Sequence, residues 1–286
     1  MKPIKIIPKS EAEWLKIKEG TIGASEIITA CGLNPWKSPY ELWLEKTKRK
    51  EADDINDSMI LGKLFEAPLV DFWAIKTDHR PLKGSHKDIL YLHPEKPYLS
   101  CTPDRFFWHS QTGEKWLCEV KNPDNRRVDE PEQSWIMQLQ YQMGITGVHK
   151  GMLLWSYPQR GVYFMEQEYD FNQELFDMMV DIADTFWNEN VLKDIEPDMT
   201  TGDDVLYKYP IETEGLIKEC SESLADTYNE MVSLRDIISD STKSLDKLKS
   251  DIKIFMQDAA IVRYLEKTLF TWKANKNGTR IFKIMG

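Results

Sequence analysis

Apolar residues recur every three or four positions in one segment near the start of the chain, which is the spacing of an amphipathic helix. The stripe consists of Ile60, Leu64, Ala67 and Val70, and Glu66 lies beside it. This position favours a glutamate turned toward the interior, although a partly exposed glutamate on an ordinary helix fits the same pattern.

A second helical segment, residues 135–144, mixes apolar residues with the glutamines Gln138, Gln140 and Gln142. Neighbours on a helix surface are three or four residues apart, so amides spaced by two do not all face one way. We therefore expect at least one of these side chains to face polar surroundings or a site.

Residues 99–123 have strand character and contain Asp104 and the sequence Glu119-Val120-Lys121. Successive side chains of a strand point to opposite faces, so Glu119 and Lys121 share a face while Val120 turns toward the core. Further along, the pattern predicts strands at 152–157 and 162–168, joined at 158–161, and a helix over 173–191. Helices and strands together predict an α/β (α+β) fold.

The C-terminal part of the chain follows a different period. Seven-residue spacing relates Ile217, Leu224, Met231, Ile238, Leu245, Ile252 and Ala259, and companion positions run from Thr227 to Val262. Such heptads favour a coiled coil. A single helix over 217–262 would be about 70 Å long. The alternatives are a helical hairpin broken near 239–242, or helices packed on the preceding domain.

Residues 269–273 and 280–284 predict a final β-hairpin with basic and aromatic residues, suited to DNA or to a partner protein.

Turn-forming and acidic residues around 194–204 separate these two patterns. We therefore predict a first domain at 1–193, an acidic linker at 194–213 and a helical extension with a terminal basic hairpin at 214–286.

With 286 residues, of which 41% are hydrophobic, the chain can bury a substantial core. The four cysteines are far apart and the N-terminus lacks a signal-peptide pattern, which predicts reduced thiols in a cytoplasmic protein.

The residues most suggestive of chemistry are Asp104, Glu119 and Lys121. Two carboxylates on neighbouring strands can share a divalent ion, and a lysine beside that ion can position a water or neutralise a phosphate. A solvated salt-bridge face is the alternative for an acid–x–Lys strand.

Near the N-terminus, Lys18 and the small residues of 20–26, including Ser25, indicate a turn between two helices, where backbone N–H groups can also hold a phosphate.

In this order, the segments 20–26, 62–66, 102–104, 119–121 and 138–141 resemble the YqaJ-type viral recombinase family, which includes the exonuclease of phage lambda. The resemblance covers residues 14–170. It implies a restriction-endonuclease-like core, in which a mixed central sheet is flanked by helices. It also implies an exonuclease that degrades double-stranded DNA ends 5′ to 3′ and leaves 3′ overhangs for phage-type recombination.

The same resemblance assigns roles to individual residues. Glu66, Asp104, Glu119 and the carbonyl of Val120 would hold one or two Mg²⁺ ions, for which Mn²⁺ can substitute. Lys121 would be the catalytic lysine and Gln140 the active-site glutamine. Ser25 and Lys18 would bind the 5′-phosphate, although the family's usual residue at the Lys18 position is arginine, and lysine lacks its bidentate fork.

The net charge of −10 runs against a protein that grips DNA along its whole surface. The family resemblance implies a ring, often a trimer, in which DNA meets an inner channel. The residues predicted to bind DNA on its inner wall are Arg105, Lys115, Arg126 and Arg127, and scattered solvated charge is the alternative for any one of them. A single-strand annealing protein is the expected partner, and a bacterial host carrying a phage or prophage is the expected setting. An endonuclease on the same fold and a non-catalytic scaffold at DNA ends are the competing hypotheses.

Overall fold

The computed structural model describes residues 2–51, 53, 56–82, 89–123, 128–159 and 161–285. Arg126 and Arg127, both predicted to bind DNA, lie outside the described residues. The chain divides into two compact units, Met1–Ile211 and Glu212–Gly286.

The first unit alternates strands and helices. Its elements are β1 (Ile4–Ile6), α1 (Glu11–Glu19), α2 (Glu26–Ala30), α3 (Pro39–Lys46), α4 (Asp57–Thr77), β2 (Arg80–Pro81), β3 (Leu90–Leu92), β4 (Ser100–Cys101), β5 (Arg105–Trp108), β6 (Lys115–Lys121), α5 (Gln133–Thr146), β7 (Lys150–Gln159), β8 (Gly161–Asp170), α6 (Gln173–Thr185), a π-helical continuation (Phe186–Leu192) and α7 (Gly202–Lys208).

A mixed five-stranded sheet forms the centre of this unit, in the order β2-β5-β6-β7-β8. Strands β6 and β7 are parallel, whereas the other neighbouring pairs are antiparallel. Parallel neighbours require a crossover connection, and α5 provides it. The expected mixed central sheet flanked by helices is confirmed.

The alternation of side chains along β6 divides the interior into two cores. Trp116, Cys118 and Val120 pack with Leu69, Val70 and Trp73 of α4 on one face of the sheet. Leu117 packs on the other face with residues of α2, α5 and α6. The residues Glu119 and Lys121 follow the same alternation as Leu117, so they are directed toward α5 rather than α4.

A smaller sheet, β1-β3-β4, fixes the turn that follows α1. Ile22 forms a parallel bridge with Leu99, and its carbonyl accepts hydrogen bonds from the backbone N–H of Ser100 (2.9 Å) and the hydroxyl of Tyr141 (3.0 Å). These contacts hold residues 22–25 against the end of the small sheet and beside α5.

The segment 194–213, predicted to be a linker, contains the helix α7 and lies largely within the first unit. The side chain of Asp204 is 1% exposed, accepts from the Ser38 hydroxyl, and also caps the helix through the backbone N–H groups of Thr200 and Thr201. Burial opposes ionisation of Asp204, but these hydrogen bonds outweigh it and lower the pKa of the carboxyl group. This acidic, turn-rich segment therefore contributes a buried carboxyl group, Asp204, that attaches it to Ser38.

The second unit consists of a long helix and a small antiparallel sheet. Helix α8 (Glu222–Met256) runs without a break through residues 239–242, so the predicted hairpin alternative does not occur. It ends before residues 259 and 262, the last positions of the heptad pattern, because the chain turns at Gln257 and enters β9 (Ile261–Tyr264).

The predicted terminal hairpin corresponds to β10 (Lys267–Ala274) and β11 (Arg280–Ile284), and β9 extends it to three strands in the order β11-β10-β9. Among the described residues, none of the helices has both the length and the apolar character required to cross a bilayer.

Candidate active site

A cavity of about 780 Å³ opens in the first unit where several elements meet. Its walls come from α1, residues 23–25, α4, residues 100–104, the end of β6 and α5. Six predicted site residues line it: Lys18, Ser25, Glu66, Asp104, Val120 and Lys121. Residues separated by as many as 103 positions in the sequence are thus brought into one space.

Glu119 lies directly behind this wall and is only 2% exposed. Its Oε1 is 2.8 Å from Lys121 Nζ, and its Oε2 accepts a 2.8 Å hydrogen bond from Gln142 Nε2. Lys121 Nζ in turn donates to Gln138 Oε1 at 2.7 Å. Because α5 packs against the face of β6 that carries Glu119 and Lys121, two glutamines of the helix position both charged groups.

Asp104 precedes β5 and is tied to the neighbouring strand. Its Oδ2 accepts a hydrogen bond from the Val120 backbone N–H at 2.8 Å, which places its carboxyl group beside the end of β6. Burial and the nearby carboxylates of Glu119 and Glu66 raise the pKa of Asp104 well above its usual range, although Lys121 and the Val120 N–H oppose the shift. Three acids therefore lie close enough to repel one another.

Gln140, predicted to be an active-site residue, does not line the described part of the cavity. Its Nε2 donates to the Asp170 carbonyl and its Oε1 accepts from the Asn172 N–H, both at 2.8 Å, so the side chain joins α5 to the start of α6. The glutamines at the cavity are Gln138 and Gln142, which are four residues apart. That spacing puts them on one face of a helix, with Gln140 on another, and it was the signal that could have identified them.

The donor set fits a magnesium ion, which prefers oxygen ligands. Asp104 lies near enough to Glu66 and Glu119 for their charges to act on it, and a cation would relieve that repulsion. The Oε1 atom of Gln142 is buried and has no hydrogen-bond donor in the described part of the chain. A hydrated cation at this place would supply both the missing charge and a donor for that oxygen.

Lys18, Ser25 and Gly23 form another part of the cavity wall. Ser25 is exposed and its side chain makes no capping hydrogen bond at the start of α2. Lys18 Nζ lies 4.7 Å from the centre of the Trp14 ring. Burial lowers the pKa of Lys18, with the charge of Glu26 opposing this and that of Lys46 adding to it.

The Lys46 ammonium holds this part of the cavity wall in shape from behind. It is 5% exposed, donates to both oxygens of Glu26 at 2.9 Å, and donates to the carbonyls of Lys18 (3.0 Å) and Thr21 (2.6 Å). Glu26 also accepts from the Gly23 N–H at 2.8 Å. The Ser25 hydroxyl and the Lys18 ammonium are therefore presented by a braced turn.

Arg105 does not line the described part of the cavity. It begins β5, where its alternation with Phe106 directs it to the α4 side of the sheet, and its Nε is buried. Two cavity residues that carry no prediction from the sequence are Lys63 of α4 and Asn122 after β6. Asn122 Oδ1 accepts a hydrogen bond from Ser156 at 2.9 Å.

A second group of acids, Glu41, Glu45 and Asp53, lies outside the cavity and is close enough to share a cation. Lys37 is 2.6 Å from Glu45, and Lys50 is 2.8 Å from Glu41 and 2.5 Å from Asp53. Because two lysines already neutralise these carboxylates, the group is an ion-pair network rather than a metal centre.

Comparison with known proteins gives a family match and similar solved structures. Residues 13–149, which include every predicted site residue, match the family model of the YqaJ-like viral recombinase domain. The chain contains a YqaJ-like viral recombinase domain. A curated relative, the uncharacterized protein YqaJ of Bacillus subtilis, is 26% identical over 260 residues, covering 87% of this chain and 79% of the relative.

The recombinase domain also resembles solved structures. The crystal structure of an alkaline exonuclease (LHK-Exo) from Laribacter hongkongensis superposes with a TM-score of 0.51 and 19% identity, covering 62% of this chain and 91% of the exonuclease. The same exonuclease has been crystallised in complex with dAMP, and that structure gives an equal TM-score at 18% identity. At this level of identity the similarity establishes the fold.

Proposed function

We propose that this protein is a magnesium-dependent exonuclease that binds the ends of linear double-stranded DNA and degrades one strand 5′ to 3′, leaving a 3′ overhang. One observation carries the proposal: Glu66, Asp104 and Lys121 line a single cavity with Glu119 held directly behind them. Three carboxylates and a lysine around one space suit the hydrolysis of a phosphodiester.

The divalent ion would be held by Glu66, Asp104, Glu119 and the Val120 carbonyl, and when bound it supplies charge to the phosphate and acidifies the attacking water. The protein contributes orientation. Lys121 Nζ is fixed between Glu119 and Gln138, so its positive charge is held toward the cavity, where it can bind the scissile phosphate or orient the water. Gln142 fixes the Glu119 carboxylate from the opposite oxygen.

Polarity is proposed from the part of the cavity wall formed by Lys18, Ser25 and Gly23. Ser25 and Lys18 offer a hydroxyl and an ammonium group there. Gly23 has no side chain, which leaves room for a phosphate close to its backbone. These groups suit the 5′-phosphate of the strand being degraded. With the 5′-phosphate at Ser25 and Lys18, the next phosphodiester of that strand would be the one presented to the carboxylates and Lys121.

The relatives support the same activity class. The solved neighbour is an alkaline exonuclease, and its crystallised complex contains a nucleoside monophosphate, dAMP. The domain match is to a viral recombinase. We therefore place the activity in phage-type homologous recombination, with a ring of copies, a trimer in the first instance, enclosing DNA and a single-strand annealing protein receiving the 3′ overhang.

The proposal is tested with linear duplex DNA labelled separately at each strand end, in 5′-phosphate and 5′-hydroxyl forms, beside a closed circular duplex. We expect Mg²⁺-dependent loss of the 5′ label, fastest from 5′-phosphorylated ends, and intact circles. Lys121→Ala should abolish release while end binding persists. Lys150→Ala is the matched control, because Lys150 lies on the neighbouring strand β7 in an exposed ion pair with Asp170.

Each other outcome has a defined meaning. Cleaved circles would replace the exonuclease with an endonuclease on the same fold. Release from 3′ ends would reverse the polarity and remove the role proposed for Ser25 and Lys18. Release of nucleotides by Lys121→Ala at the rate of the unmodified protein would refute the catalytic site, and no release from any substrate would leave a scaffold that binds DNA ends.

A further inference from the structure

Helix α8 carries an apolar stripe that its own unit leaves uncovered. The stripe residues recur in the seven-residue pattern and are between 43% and 65% exposed: Leu224, Met231, Leu234, Ile238, Leu245 and Leu248. Isolated exposed apolar residues are ordinary, but a contiguous row along more than three turns of helix marks a contact surface.

Only the C-terminal end of α8 is packed within the second unit. Met256 is 2% exposed, and Lys253 Nζ lies 5.8 Å from the centre of the Trp272 ring and 5.6 Å from that of the Phe282 ring. The three-stranded sheet thus covers the last turn of the helix. The stripe from Leu224 to Leu248 lies before that turn and has the repeat of a helix that supercoils with a partner helix.

The charges beside the stripe favour a second copy of the same helix in one orientation. In a parallel, in-register pair, Glu230 of one helix lies opposite Arg235 of the other, on both sides of the seam. In an antiparallel pair centred on the helix, Glu230 lies opposite Asp251 instead, which repels. Arg235 is available for the contact, since its described partner is the adjacent Asp236 at 3.4 Å, with both side chains highly exposed.

The two polar residues of the seam agree with the same register. Thr227 and Ser241 interrupt the companion row of the heptads. In a parallel, in-register pair each faces its own counterpart, so that hydroxyl meets hydroxyl and the apolar residues meet one another. A polar pair in the seam costs stability but fixes register.

We propose that α8 forms a parallel, in-register coiled coil with α8 of a second copy of this chain, a two-copy contact separate from those that would close a ring of first units. The surface is the stripe Leu224–Leu248, and its flanking pair is Glu230 with Arg235. This contact is independent of the cavity of the first unit, so it would hold whether or not the protein is a nuclease.

Cysteine cross-linking of the full-length protein tests the contact. In a background carrying Cys31→Ser and Cys220→Ser, we compare Thr227→Cys with Asn229→Cys, using a short bis-maleimide and a denaturing gel. The two positions are at the same level of the helix but on opposite sides, with Thr227 in the seam and Asn229 facing outward. We expect a band of twice the chain mass from Thr227→Cys and at least tenfold less of it from Asn229→Cys.

A second variant confirms that the stripe itself is responsible. Adding Leu234→Asp and Ile238→Asp should remove the Thr227→Cys cross-link, whereas Lys243→Asp and Ser250→Asp, on the outer side, should not. Because the stripe residues are exposed, we expect their replacement to leave the fold of the single chain intact, which far-ultraviolet circular dichroism checks.

Three results would overturn the proposal. Equal cross-linking at the two positions would indicate random collision. Absence of the Thr227→Cys product would exclude a parallel pair, because antiparallel helices hold these residues at opposite ends. Persistence of that product in the stripe variant would show that another surface brings the copies together.

Discussion

At the scale of single residues, the glutamines of α5 have different roles: some contact the charged groups of the site, and one connects secondary-structure elements. Gln142 supports the Glu119 carboxylate, whereas Gln140 joins the end of β8 to the start of α6. Both are buried, at 1% and 3% exposure, so burial alone does not distinguish them. Their hydrogen-bond partners distinguish them. The same substitution should therefore affect turnover at Gln142 and stability at Gln140.

We predict that Gln142→Met lowers kcat by about ten- to a hundredfold, because groups that orient metal-site ligands have effects of this size. Gln140→Met should lower stability by about 1–3 kcal/mol, since it leaves the Asp170 carbonyl and the Asn172 N–H unpaired. Steady-state nuclease assays and urea unfolding followed by tryptophan fluorescence measure the two effects. A Gln140→Met protein that folds normally but loses turnover would contradict this division.

At the scale of elements, the strand β6 was predictable because its information is local. An alternation of period two assigns Val120 to one face and Glu119 and Lys121 to the other, and the structure has this arrangement. For α5 the sequence contained the spacing that pairs Gln138 with Gln142, but which face meets the sheet depends on packing with β6 and α6. The family pattern alone selected Gln140, which faces away.

Contacts between distant residues account for what the sequence did not predict. The segment around α7 resembles a linker because Asp204 and its neighbours are acidic, but its partner Ser38 is 166 residues away. At the other extreme, the heptads predicted a long helix correctly, but the helix begins at Glu222 rather than at 217 and ends at Met256 rather than at 262. The apolar residue Val262 continues the repeat of the helix and equally suits the strand that it forms.

The contact between α5 and α6 depends on one glycine. A Cβ atom added to Gly144 would overlap the ring of Phe176, which packs over the α5 backbone at this point. We predict that Gly144→Ala destabilises the first unit by about 1–3 kcal/mol through overpacking, despite the gain of about 1 kcal/mol in helix propensity. Urea unfolding provides the measurement.

Gly62→Ala in α4 is the control for this prediction, because a Cβ atom there meets nothing within 4 Å. It should be neutral or stabilising. Adding Phe176→Leu to Gly144→Ala should recover part of the loss, since the smaller side chain makes room for the methyl group. If Gly144→Ala alone were as stable as the unmodified protein, the close approach of α6 to α5 would be refuted.

At the scale of the whole molecule, the excess of acidic residues, 47 against 37 basic, restricts where DNA can be held. Among the described residues, Lys18, Lys63 and Lys121 line the cavity and offer positive charge to phosphates there. Binding at DNA ends should therefore involve few phosphates. Each neutralised phosphate contributes about −0.9 to the slope of log affinity against log salt concentration for duplex DNA.

We accordingly predict that end binding, measured with Ca²⁺ in place of Mg²⁺ to prevent turnover, has a salt slope of magnitude about 3. Lys63→Gln should reduce that magnitude by about 1, because its ammonium group would contact one phosphate. Lys76→Gln, at the far end of the same helix and outside the cavity, should leave the slope unchanged. A much steeper slope, equally insensitive to both substitutions, would mean that DNA is held by a basic surface other than the cavity, and would move the proposed site of strand entry away from α4.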